Sequence, residues 1–139
     1  MMATYYRASD CATIGGECCR HCVAESREHA EAYLGDGGLG GGALWAIDFD
    51  FAENELLDLG DSIPEAMERL HAALASIGVD IEAIDWAAHN WPYEILFSCH
   101  AYWEELRAAG YRAVRYPDEY PAGCITTAYL GDEVEMRRV

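Results

Sequence analysis

Runs of aromatic and β-branched residues lie toward both ends of the chain and enclose a middle with helical periodicity. Thr4–Ala8 (TYYRA) reads as a first strand and Arg20–Glu25 as a second. Ser26 through Leu34 predicts a short helix, with Ser26 as N-cap and glutamates favouring the dipole in its first turn. Gly35–Gly42 carries six glycines in eight residues and predicts a flexible loop. It lacks the strand-before, helix-after frame of a phosphate-cradling glycine motif. Ala43–Phe51 alternates apolar and acidic residues toward its end, as a half-buried strand does, and Glu55–Gly60 is a shorter extended candidate.

Two longer helices are expected in the middle. In Ser62–Ile77, the residues Ile63, Met67, Leu70, Leu74 and Ile77 share one face. Ser62 and Glu65 have capping-box spacing, Pro64 falls in the first turn, and Gly78 supplies the stop. A second helix is predicted over Pro92–Ala109, closed by Gly110 and burying Ile95, Leu96, Cys99, Trp103 and Leu106. The chain then returns to strands at Ala113–Tyr116, Thr126–Leu130 and Val134–Arg138, with turns at Pro117–Gly123 and Gly131-Asp132. Strands flanking a helical middle predict an α+β fold rather than an alternating βαβ array. At 139 residues a single domain spanning 1–139 is expected.

Charge narrows the function classes. There are twenty-five acidic side chains against nine basic ones, a net charge of −16. All nine basic residues are arginine, so a GK[ST] phosphate loop, a Schiff-base lysine and a lysine general base are excluded. A nucleic-acid binder needs a basic face to release counterions, so no direct nucleic-acid partner is expected. An acidic surface suits solubility and approach to basic partners. The opening MMATYYRASD lacks a signal pattern, and no apolar run reaches the ~18–20 residues of a membrane span. A cytoplasmic protein with no membrane partner is expected, its six cysteines being reduced thiols.

Several clusters could carry chemistry. Cys11, Cys18, Cys19, His21 and Cys22 have zinc-ligand types, but the second knuckle of a structural zinc site is missing. Free thiols and no metal are the reading carried forward. His29 and His71, set among charged residues on predicted helices, read as solvated. The pairs Asp48/Asp50 and Asp58/Asp61 read as exposed acidic positions, with a divalent cation as the alternative. Arg7 stands alone on an apolar strand, and its planar fork suits a phosphate or carboxylate. Asp118-Glu119 lies in a turn bracketed by Pro117 and Pro121, a rigid place to hold a carboxylate.

Gly110–Val139 resembles the C-terminal part of a family of phage anti-CRISPR proteins with an ADP-ribosyltransferase fold. The shared frame is G-[YF]-R-x-V-x(3)-D-E, a short polar strand ending in Leu130-Gly131, and a final E-x-x-R-V strand. Upstream, Tyr6-Arg7, Tyr33, Leu44–Asp50 and Leu57–Ser62 fall in matching order. Arg7 stands where the nearer relatives carry histidine, and the Cys18–Cys22 and polyglycine stretches have no counterpart.

The resemblance implies transfer of ADP-ribose from NAD to a protein target, with a CRISPR surveillance complex as the expected partner. Breaking the nicotinamide–ribose bond builds positive charge on the sugar, which a fixed carboxylate stabilises. By this resemblance Asp118 is the catalytic carboxylate and Glu119 the second choice. Arg7 holds the pyrophosphate or the adenosine ribose, and Tyr33 stacks on nicotinamide. Thr126 and Thr127 line the site from the next strand or serve ordinary strand packing. Two alternatives remain: a non-catalytic acidic protein blocking a basic nucleic-acid channel, and an NAD glycohydrolase toxin using water as acceptor.

Overall fold

A computed structural model describes residues 2–16, 21–34, 42–119 and 123–139, and these form an α+β fold. Met1, the thiols Cys18 and Cys19, Arg20, most of the polyglycine loop and the centre of the Pro117–Gly123 turn lie outside the described residues. The strands are β1 (Met2–Ser9), β2 (Thr13–Ile14), β3 (Cys22–Ala24), β4 (Ala43–Asp50), β5 (Leu56–Asp58), β6 (Ala113–Pro117), β7 (Ile125–Tyr129), β8 (Val134–Glu135) and β9 (Arg137–Arg138). The helices are α1 (Arg27–Glu31), α2 (Ile63–Ser76), α3 (Pro92–Leu96) and α4 (His100–Ala108).

Seven strands form one sheet in the order β5-β6-β7-β3-β1-β4-β9, and β2 pairs with β8 in a separate ribbon. Among the described residues of this sheet, β5 and β6 form the one parallel pair. Period-two alternation sorts the sheet's side chains between two cores. On one face α2, α3 and α4 bury Leu70, Leu74, Ile95, Leu96 and Leu106 against Val114, Tyr116 and Ala128. Each such aliphatic side chain contributes about 1.5–3 kcal/mol on full burial. A second cluster joins Tyr5, Ile47, Phe49 and Phe51 with Tyr129 and Met136, Phe49 stacking on Tyr129 with ring centroids 4.7 Å apart.

Four sequence expectations require correction. The single helix over Pro92–Ala109 is two helices, α3 and α4. Side chains take the carbonyls a continuous helix would use: Ser98 Oγ donates to Ile95 O at 2.7 Å, and Trp103 Nε1 donates to Leu96 O. The break leaves Cys99 exposed instead of buried. At the start of α2 the capping box is not made, because Ser62 forms no side-chain cap bond and Glu65 pairs with Arg69. Val134–Arg138 is two strands, β8 and β9, since Met136 between them is buried and its N–H donates to Ala12 O at 2.7 Å. Among the described residues no helix is long and apolar enough to cross a membrane.

Candidate functional site

The register of four strands builds the floor of a cavity. Tyr116 lies opposite Thr126, Thr126 opposite Ala24, and Ala24 opposite Tyr6. In antiparallel strands directly opposed residues share a face, so these four side chains form one transverse row. All four line a cavity of about 410 Å³. Such a volume falls within the ~300–1,000 Å³ of small-molecule sites. Helix α1 and the turn after it supply His29, Ala30 and Tyr33 to one wall; α3 and the residue after it supply Tyr93 and Phe97 to another. Asp118 and Glu119, at the end of β6, close the rim.

Five of the residues singled out for the site line this one cavity: Arg7, Tyr33, Asp118, Glu119 and Thr126. They come from positions far apart in sequence and meet because β1, β3, β7 and β6 are adjacent in the sheet. Thr127 does not join them. One position along β7 it turns to the opposite face, where it is fully buried opposite Val23 and Arg115.

The carboxylates are held in different ways. Asp118 Oδ2 accepts from Thr126 Oγ1 at 2.6 Å, and Oδ1 accepts from the Glu119 N–H at 2.7 Å. The Asp118 N–H donates to Cys124 O at 2.8 Å, so both the side chain and the backbone of Asp118 are fixed. Glu119 is exposed and accepts a hydrogen bond from the Tyr93 hydroxyl. That carboxylate, accepting the bond, pushes Tyr93 up to about 12, so the phenol remains a donor through the neutral range.

Arg7 has an unusual electrostatic position. Arg27, Arg69, Arg107, Arg112, Arg115 and Arg137 each form an ion pair with a carboxylate. Arg7 and Arg138 have no such pair among the described residues, and of these two Arg138 is exposed whereas Arg7 is half-buried. The Arg7 Nη1 donates to Cys22 O at 2.7 Å where β1 and β3 part, and its Nε has no partner among the described residues. A guanidinium fixed in place without a counter-ion is ready to meet an anion.

Other side chains resolve differently from their sequence reading. His29 was expected in solvent and is 3% exposed, because α1 lays it against the sheet beside Tyr33. Tyr33 itself sits in the turn beyond α1 rather than on the helix, its N–H donating to Ala30 O. Ser26 does cap α1, accepting from the His29 N–H at 3.1 Å. Asp58 and Asp61 both accept from Arg115 Nη1, at 3.0 and 2.9 Å, which accounts for that pair without a cation. Asp48 is bound by Thr4 and Arg137. Cys22 lines the cavity, but burial pushes its thiol pKa up, and its partner Tyr116 is pushed up by burial as well. At neutral pH Cys22 is therefore a thiol, not a thiolate nucleophile.

Sequence reasoning passed over Tyr93, Phe97, Tyr116 and His29. Period two offered a signal for Tyr116, which stands two residues before Asp118 and so shares its side of the strand. No such signal existed for Tyr93, which reaches Glu119 across twenty-six positions. Comparison with family models, with curated proteins and with solved structures finds no match to this chain.

Proposed function

We propose that this chain is an NAD-dependent mono-ADP-ribosyltransferase that modifies a protein target, with an anti-CRISPR role. The observation that carries this reading is the convergence of Arg7, Tyr33, Asp118, Glu119 and Thr126 on one cavity. A protein acting through surface charge alone has no need of that convergence. NAD is consumed as substrate: nicotinamide leaves with the electron pair of its bond to C1′, and a nucleophilic side chain of the target bonds to C1′ and releases a proton. Asp118, already fixed by Thr126 and the Glu119 amide, stabilises the positive charge that develops on the ribose. Arg7 supplies the cation for the pyrophosphate. Tyr33 offers a ring against nicotinamide and shields it from water. Glu119, bonded to Tyr93, is exposed and so within reach of a target's side chain.

The test is incubation with biotinylated NAD and a purified CRISPR surveillance complex, followed by blotting for transferred label. Label on a subunit of the complex is the expected result. Free ADP-ribose with no labelled protein would replace the transferase reading by the glycohydrolase one. Neither label nor released nicotinamide would overturn both.

A further inference from the structure

We propose that His29 acts with Arg7 to hold a phosphate-class anion in the cavity. Among the described residues, the buried side-chain polar atoms without a hydrogen-bond partner are Arg7 Nε, His29 Nε2, His89 Nδ1 and Thr127 Oγ1. His89 Nδ1 has the Glu94 carboxylate 3.6 Å away, and Thr127 packs on the far face of the sheet. The remaining two belong to residues that line the same cavity. Buried polar groups are satisfied as a rule, so two orphan atoms just beneath the lining of one cavity, on two of its lining residues, mark unused hydrogen-bonding capacity beside it.

The chemistry of the pair selects the class of ligand. Arg7 is a guanidinium, a donor that cannot accept, and no described carboxylate neutralises it. His29 donates from Nε2 in the tautomer that carries its proton there. Two donors, one of them a guanidinium with no ion-pair partner among the described residues, suit an acceptor-rich anion, while Asp118 and Glu119 are the acidic members of the same cavity. Phosphate oxygens meet that description, and an apolar or cationic group does not. The Tyr33 ring lies against His29 with centroids 5.9 Å apart and a tilt of 38°. His29 is thus a ligand-binding residue contributed by α1, separate from the strand-borne Arg7 and the rim carboxylates. The identification of the anion as the pyrophosphate of NAD rests on the function proposed above; the anion site itself does not.

The experiment is calorimetric titration of the full chain with ADP-ribose, inorganic pyrophosphate and nicotinamide. It compares the unmodified protein with His29→Leu and His29→Gln. Removing one hydrogen bond to a charged group is expected to weaken ADP-ribose and pyrophosphate about ten- to a hundred-fold in His29→Leu. Nicotinamide affinity should stay within about two-fold, and His29→Gln, which keeps a donor, should recover most of the loss. Equal affinities in His29→Leu and the unmodified chain would overturn the proposal, as would a uniform loss for all three ligands, which is what a packing role produces. His29-dependent binding of pyrophosphate without any binding of ADP-ribose or nicotinamide would retain the anion site and reject the NAD reading. Absence of binding by all three would reject both. Should His29→Leu fail to fold, the imidazole ¹⁵N spectrum of the unmodified chain decides, with His29→Gln assigning the signal. The His29 Nε2–H resonance is expected to shift on adding pyrophosphate, and an unmoved resonance refutes the contact.

Discussion

Asp118→Asn separates the charge of this residue from its shape. The carboxylate has two internal partners, Thr126 Oγ1 at 2.6 Å and the Glu119 N–H at 2.7 Å, and the backbone N–H of Asp118 is held by Cys124 O at 2.8 Å. An asparagine keeps one oxygen to accept from the Glu119 N–H. Its amide then donates to Thr126 Oγ1, whose hydroxyl turns to accept. The turn therefore survives, and the fold loses on the order of 1 kcal/mol as charge-assisted bonds become neutral ones. The reaction loses more, since one preorganised electrostatic contact with the transition state contributes ~2.7–4 kcal/mol. Turnover, followed as nicotinamide release, should drop about 10²–10³-fold while NAD affinity by calorimetry stays nearly unchanged. Glu119→Gln should cost less, because Glu119 is exposed and its one described side-chain partner is Tyr93. Turnover within about three-fold of the unmodified chain would refute the assignment of Asp118. A loss of NAD affinity matching the loss of turnover would make it a binding residue, and the reverse ranking of the two variants would exchange their roles.

Arg7→Ala should raise the KM for NAD about ten-fold or more with a smaller effect on kcat, since it removes a ground-state anchor; the reverse split in steady-state kinetics would argue against anion binding by Arg7. Tyr93 should ionise near pH 12 and fall back toward 10 in Glu119→Gln, as read by phenolate absorbance. Because the folded pKa lies above the unfolded one, this contact supports the fold fully below about pH 10 and is lost as pH rises through 12. A Tyr93 titration indifferent to Glu119 would remove the contact from the site. Leu106→Ala, in a fully buried position of α4, should destabilise the fold by about 2–5 kcal/mol in denaturant melts, and a change below about 1 kcal/mol would contradict the packing described.

How much was legible in the sequence depended on whether the information was local. The strands β1, β4, β6 and β7 and the helix α2 are written in period-two or helical patterns, and their positions follow from them. The α3–α4 break was not legible, because Ser98 and Trp103 compete for backbone carbonyls, and helical periodicity carries no sign of such competition. The pairing of β5 with β6 and of β2 with β8 involves strands of two or three residues whose partners lie far along the chain. For the cavity, Arg7 and the Asp118-Glu119 turn stood out because each is chemically conspicuous in its local setting, and the preference for Asp118 over Glu119 came from the resemblance. His29 was missed because its charged neighbours in sequence describe the exposed side of α1, whereas the residue itself faces the sheet. Ser26–Leu34 is too short for amphipathic periodicity to tell those sides apart.

Charge and cavity are both present in this protein, and they support different ways of inhibiting a macromolecule. A decoy for a basic channel works through the sum of its surface charge, so no single carboxylate matters much to it. A transferase works through a few groups at one place, so its surface charge affects the rate of encounter more than the reaction. The double variant Asp118→Asn with Glu119→Gln divides the two, because it removes only two of the twenty-five acidic side chains, yet both are the carboxylates at the rim of the cavity. Surface potential hardly changes, and a decoy should keep its potency against the surveillance complex to within about two-fold. A transferase should lose turnover by at least the 10²-fold of Asp118→Asn alone, and its inhibition should disappear on the timescale over which the unmodified protein acts. Raising the salt gives the complementary result: screening over a Debye length of about 8 Å at 0.15 M weakens a decoy in proportion to its charge. It slows the encounter of a transferase with its target and leaves nicotinamide release from small-molecule NAD largely intact. Full potency of the double variant, abolished by salt, would assign inhibition to the acidic surface and leave the cavity without a part in it.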